Sequence, residues 1–137
     1  MIEEVGMPNL KVGLDLPLFE SQEENFVRQT VLSMEGLMVH SHSISIANKA
    51  TVGGYVFGWD EVPPGSEKDP CNWEVFLKAC KEIGYDGYLA HEQCSPIIVK
   101  GHKIADLEEI DRRNLSAINF FKPLLKKLDY YTGIRRD

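Results

Sequence analysis

The stretch Gly84-Tyr-Asp-Gly-Tyr-Leu-Ala-His-Glu92 joins a helical pattern to a short apolar strand. Gly84 follows an apolar stripe at helical spacing, and glycine commonly caps the end of a helix. The residues near 87–92 then form a strand-like run that ends on a carboxylate, Glu92. Carboxylates are seldom buried without a partner, so the end of this strand is a candidate functional site.

Two earlier runs end in the same way. Strands are predicted near 11–15 and 37–42, and their last residues are Asp15 and His42. Because the carboxyl ends of parallel strands meet at one edge, the side chains of Asp15, His42 and Glu92 are predicted to converge there. Ordinary structural roles remain open, since a lone Asp at a strand end often forms a turn and a lone His is often a hydrogen-bonded core residue.

The order of the predicted elements is strand, helix, strand, long loop, helix, strand, helix. This alternation predicts an α/β fold with right-handed crossovers and parallel strands. Ser21 and Glu24 fit a capping box at the start of the first full helix. The region 43–68 is predicted to be a long irregular loop, whose aromatic residues, Trp59 among them, cover either a site or merely the rim of the fold.

Composition excludes several classes of function. The formal charge of −6 over 137 residues argues against binding to nucleic-acid backbones, and no stretch is apolar enough to suggest a membrane partner. Three cysteines without a CxxC pair or a secretory signal indicate a reduced cytoplasmic location.

Cys80 is predicted to be a core residue, whereas Cys94 follows Glu92 closely enough to line the site. Arg112-Arg113 are predicted to face solvent.

The donor set indicates a metal. Two carboxylates and an imidazole suit Mn²⁺, Mg²⁺, Co²⁺ or Zn²⁺, and the oxygen-rich balance favours the first two. Such an ion polarises neighbouring carbonyl and hydroxyl oxygens of a sugar, which lowers the barrier to removing a proton from the adjacent carbon. A carboxylate can then act as the general base.

These residues resemble a known family. The segment 69–92, with its Gly-Tyr-Asp-Gly turn and terminal Glu92, is similar to the end of the xylose isomerase-like TIM barrels. This is the sugar phosphate isomerase/epimerase superfamily, which also includes endonuclease IV-type proteins. Val39-His-Ser-His42 and Val12-Gly-Leu-Asp15 resemble the two strands that come before it.

The resemblance implies roles for individual residues. Asp15, His42 and Glu92 would bind a divalent metal, and Glu92 would also transfer a proton in the isomerisation or epimerisation of a small sugar or sugar phosphate. We assign substrate contacts to His40, Trp59 and Cys94. Leu18 and Ser45 depart from the family, which often has a histidine and an acidic residue at these two positions.

The larger difference from the family is the length of the chain. A complete (β/α)₈ barrel needs about 250 residues, so 1–137 is expected to be a single C-terminal partial barrel that lacks a fourth ligand, a glutamate. The alternative function is a non-catalytic partial barrel that assembles with a complementing chain or as a homo-oligomer. An endonuclease IV-like nuclease is a third reading, which the acidic charge disfavours.

Overall fold

The computed structural model describes residues 2–18, 20–52, 55–93, 98–99 and 103–130. In chain order its elements are α1 (Ile2–Val5), β1 (Val12–Gly13), α2 (Glu24–Leu32), β2 (Met38–Ser43), β3 (Ile46–Val52), β4 (Tyr55–Glu61), α3 (Trp73–Glu82), β5 (Leu89–His91), β6 (Ile98–Val99), β7 (Lys103–Ile104) and α4 (Leu107–Lys127). Among these residues, every helix is too short or too polar to cross a lipid bilayer.

The main sheet has three strands in the order β1-β2-β5, and both pairings are parallel. This confirms the predicted α/β class with parallel strands. Gly13 pairs with His40, and an isolated parallel bridge between Leu16 and Ser43 carries the pairing past the end of β1. His42 pairs with Ala90 on the other side. The sheet therefore brings the ends of the three predicted strands to the same edge.

The core lies between this sheet and the helices α2, α3 and α4. Leu16 from the sheet, Val27 from α2 and Phe76 from α3 are fully buried. Trp73 packs edge-on against Phe121 of α4, with ring centroids 5.0 Å apart. The core also contains Cys80, as predicted, and burial raises the pKa of its thiol to about 12.

The predicted capping box at Ser21 is wrong. Helix α2 begins at Glu24, and its N-cap residue Glu23 makes no side-chain hydrogen bond to the helix. The Ser21 hydroxyl instead accepts the amide of Glu23 at 3.0 Å, which is a local turn ahead of the helix. The other long helices do have side-chain caps, because Asn72 and Asp106 each accept the amide three residues ahead.

The predicted irregular loop over 43–68 is also wrong, because most of it is a hairpin. Strands β3 and β4 pair antiparallel, with Ile46 opposite Glu61 and Val52 opposite Tyr55. A glycine pair between two runs rich in β-branched and aromatic residues is a hairpin signal. At its base the amide of Val62 donates to the carbonyl of Ser45 at 2.9 Å, which joins the hairpin to the end of β2.

A compact turn leads from the hairpin to α3. The Asp69 carboxylate accepts the Gly65 amide at 2.6 Å, the Cys71 amide at 2.9 Å and the Trp73 indole N–H at 2.7 Å. Gly65 has a φ of +74°, and a side chain there would overlap the ring of Phe120. One carboxylate thus ties the turn to the first residue of α3 and to the core.

Candidate metal centre

Asp15, His42 and Glu92 come together at the carboxyl edge of the sheet. One donor atom from each lies within 4.8 Å of the other two. His42 Nδ1 is 3.3 Å from Asp15 Oδ2 and 3.3 Å from Glu92 Oε2. The three side chains are 46%, 33% and 32% exposed in that order, so a small solute can reach them.

Asp15 is held by the backbone of the strand that carries its neighbour. The His42 amide donates to Asp15 Oδ1 at 2.8 Å. This contact follows from the sheet pairing, since the amides of Leu14 and Leu16 donate to the carbonyls of His40 and His42. One carboxylate oxygen is thereby fixed, and Oδ2 remains directed at the imidazole.

The imidazole of His42 contacts polar groups on both sides of its ring. Nδ1 faces the two carboxylates, and Nε2 lies 2.9 Å from Nε2 of His40, with the rings edge to face. A hydrogen bond between two imidazoles needs a donor on one ring and an acceptor on the other. If His42 binds a cation through Nδ1, its proton sits on Nε2 and His40 is the acceptor.

Two hydrogen bonds at the end of β5, here called the clamp, position Glu92 beside Asp15 and His42. Its amide donates to the carbonyl of Ser43 at 3.2 Å, and the ring Nδ1 of His91 donates to the same carbonyl at 3.0 Å. Burial lowers the pKa of His91, and the bond to the carbonyl acts in the opposite direction. Because Ser43 follows His42 directly, the clamp sets the position of Glu92 relative to the imidazole.

The donor set fits a divalent cation. Metal–ligand bonds of about 2.0–2.2 Å separate neighbouring donor atoms by about 3–3.5 Å. The distances from His42 Nδ1 to Asp15 Oδ2 and to Glu92 Oε2, both 3.3 Å, fall in this range. Two carboxylates this close repel each other, and a cation between them would remove that repulsion. A cation held by these three residues would keep at least one coordination position open.

A small cavity adjoins Glu92 beneath the base of the hairpin. Ser45, His91, Gln93 and Arg113 are among the residues that line it, and its volume of ≈ 10 Å³ holds about one water molecule. The prediction of a solvated arginine pair is wrong for Arg113. Its side chain is only 18% exposed, whereas that of Arg112 is 63% exposed, and it donates to Glu109 and to the carbonyl of Glu61.

The remaining predicted site residues have different outcomes. His40 lies behind His42 rather than beside the two carboxylates. Trp59 belongs to β4, but its side chain is outside the part of the chain that the structure describes, and Cys94 lies outside the described residues altogether. Sequence reasoning did not single out His91. Its only local signal is that it precedes Glu92, because its partner is 48 residues away.

No protein-family model matches the chain. Its structure is similar to the crystal structure of a xylose isomerase domain protein from Planctomyces limnophilus, with a TM-score of 0.60 and 21% sequence identity. The similarity covers 95% of this chain and 43% of that chain. The chain therefore shares part of the fold of that protein and spans less than half of its length.

Proposed function

We propose that this chain is part of a divalent-metal-dependent isomerase or epimerase that acts on a small sugar or sugar phosphate. The observation that carries the proposal is the convergence of Asp15, His42 and Glu92 at the carboxyl edge of a parallel sheet. Such edges hold the reactive groups of α/β enzymes. The likeness to a xylose isomerase domain protein adds support through the fold alone.

Each residue would have a distinct role. Asp15 Oδ2, His42 Nδ1 and a Glu92 oxygen would hold the cation, whose contribution is to polarise carbonyl and hydroxyl oxygens of the sugar. Glu92 keeps a second carboxylate oxygen, which would accept the proton from the neighbouring carbon and return it to the next carbon on the same face of the sugar, as an isomerisation requires. Epimerisation would need a second acid on the opposite face of the sugar. Asp15 cannot take this role as readily, since its Oδ1 is engaged by the His42 amide.

Titration of the full chain with Mn²⁺ in a calorimeter tests the metal site. We expect one site per chain, and Glu92→Gln should weaken binding at least tenfold because a carboxylate ligand is replaced by a neutral amide. Glu82→Gln is the matched control. It removes the same charge from an exposed ion pair with Arg28 at the end of α3 and should leave the affinity unchanged. Absence of binding, or equal loss in both variants, would contradict the proposal.

A second candidate is a partial barrel that completes itself by assembly. Both outer strands of the sheet, β1 and β5, pair on one side only within the described residues. The amides of Val12, Leu14 and Leu16 point to β2, so the intervening amides face the open edge. Large apolar residues are exposed beside these strands, namely Met7 and Leu10 before β1 and Tyr88 before β5.

Light scattering over a range of concentrations tests this candidate. We expect a species heavier than the 15.5 kDa chain, and Met7→Ser combined with Leu10→Ser should shift it towards the monomer. Leu107→Ser is the control, because Leu107 is also apolar, is more exposed than Met7 or Leu10, and begins α4 rather than lying next to β1 or β5. A folded monomer at every concentration would remove this candidate and leave the metal site untouched.

A further inference from the structure

We infer that His91 is a positioning residue for Glu92, and this inference rests on the proposed function of the metal centre. His91 is the last residue of β5 and pairs with Ser43 of β2. Side chains alternate along a strand, so those of His91 and Glu92 project to opposite faces of the sheet. His91 therefore cannot bind the same cation, and any effect it has on the site is transmitted through the backbone.

The group that links His91 to Glu92 is the backbone carbonyl of Ser43. The Ser43 carbonyl oxygen has two lone pairs, and it accepts one hydrogen bond from the Glu92 amide and one from the His91 ring. A carbonyl cannot donate, so His91 Nδ1 must carry the proton. The ring thus folds back onto the strand that also carries His42 and fastens the end of β5 to it.

The hydrogen bond from the His91 ring matters because the pairing between β5 and β2 ends at His91. Glu92 lies one residue past β5. The hydrogen bond from its amide to the Ser43 carbonyl is 3.2 Å long, which is at the long end of the usual range. The His91 bond of 3.0 Å to the same oxygen restricts the peptide that leads into Glu92. With both bonds in place, the Glu92 carboxylate stays within 3.3 Å of His42 Nδ1.

Two substitutions separate this role from simple packing. His91→Phe keeps a ring of similar size and removes the donor. His91→Asn is smaller, but it retains an N–H group near the position of Nδ1–H. If His91 positions Glu92, the Phe variant should bind Mn²⁺ about 10–100-fold more weakly, and the Asn variant should recover the affinity of the parent chain. A packing role predicts the reverse order, since Asn leaves more empty space than Phe.

Amide hydrogen exchange at Glu92 in the metal-free full chain gives a readout that does not need the cation. We expect faster exchange at this amide in His91→Phe than in the parent chain and in His91→Asn, with equal thermal unfolding temperatures showing that each variant is folded. Unchanged exchange together with unchanged Mn²⁺ affinity in the Phe variant overturns the inference. If the parent chain binds no Mn²⁺, the proposed function fails, and the exchange measurement alone decides the role of His91.

Discussion

Nε2 of His40 lies 2.9 Å from Nε2 of His42, two residues further along β2, with the ring planes 86° apart. The two side chains share one face of the strand, so His40 stands behind the imidazole that faces Asp15 and Glu92. When His40 accepts a hydrogen bond from Nε2 of His42, Nδ1 of His42 is left free to bind a cation. Partners of this kind govern the orientation and basicity of a metal-binding histidine.

His40→Leu should therefore weaken Mn²⁺ binding about 10–100-fold without removing any ligand. His40→Gln offers a carbonyl oxygen as a replacement acceptor, so its affinity for Mn²⁺ should fall much less than that of His40→Leu. Calorimetric titration of both variants measures the difference, and thermal unfolding shows whether each is folded. If His40 contacts the sugar instead, as the sequence predicts, the Leu variant would keep its metal affinity and lose only affinity for the sugar.

Stability in acid should depend on Glu109. Hydrogen bonds from the guanidinium groups of Arg112 and, secondly, Arg113 lower the pKa of its carboxyl group from 4.5 to about 2. A lowered pKa in the folded state means that this contribution to stability is complete above the unfolded value of 4.5 and disappears as the pH falls towards 2. The advantage of the parent chain over Glu109→Gln in unfolding temperature should shrink across this window.

Glu108→Gln is the control for that comparison, because it removes a carboxylate from the same first turn of α4. The advantage of the parent chain over Glu109→Gln should change more between these two pH values than its advantage over Glu108→Gln, because both arginines bond to Glu109. Glu74 also has a pKa lowered to about 2, chiefly by Lys127, so the parent chain alone will lose stability for more than one reason. The difference between the variants isolates Glu109, and a pH-independent difference would contradict the assignment.

The sequence predicts the parts of this molecule that depend on local signals. Asp15, His42 and Glu92 each end an apolar run, and the alternation of strands and helices is enough to place such ends at one edge. The hairpin over 46–61 also had a local signal in its glycine pair. It was missed because glycine clusters mark irregular loops as readily as they mark hairpins.

Other features depend on contacts that no local pattern encodes. Arg112 and Arg113 are adjacent and chemically identical, and only the rotation of α4 against the base of the hairpin decides which one is covered. His91 acquires its partner from the register between β5 and β2. The hydroxyl of Ser21 accepts the amide of Glu23 rather than that of Glu24, so a sequence that matches the capping-box pattern predicted the wrong contact.

Ser45→Ala should stabilise the protein. Ser45 is only 2% exposed, and its hydroxyl makes no hydrogen bond to any residue that the structure describes. A buried polar group without a partner costs about 1–3 kcal/mol, so its removal should raise the free energy of unfolding by about 1 kcal/mol. Ser43→Ala is the control, because the Ser43 hydroxyl donates to the Ala90 carbonyl at 3.4 Å and its loss should not stabilise. Chemical denaturation measures both, and a loss of stability in Ser45→Ala would mean that a water in the adjoining cavity serves the hydroxyl.

Gly65→Ala should be among the most damaging of the glycine substitutions. Gly65 has a φ of +74°, a left-handed conformation that costs a residue with a side chain about 1 kcal/mol, and its new Cβ would overlap the ring of Phe120. Gly36→Ala separates these two costs. Gly36 has nearly the same φ, +71°, but nothing lies within 4 Å of its Cβ position.

We expect Gly36→Ala to lower the free energy of unfolding by about 1 kcal/mol and Gly65→Ala to lower it by about 2–4 kcal/mol, since overpacking adds to the backbone cost. The extra loss should largely vanish when Gly65→Ala is combined with Phe120→Ala, because the second substitution removes the ring that the methyl group meets. Urea denaturation of Gly65→Ala, Phe120→Ala, the double variant and the parent chain gives the coupling between the two positions, and Gly36→Ala is measured beside them. Equal losses in Gly36→Ala and Gly65→Ala would show that Phe120 moves aside freely and that the turn before α3 is not fixed by this contact.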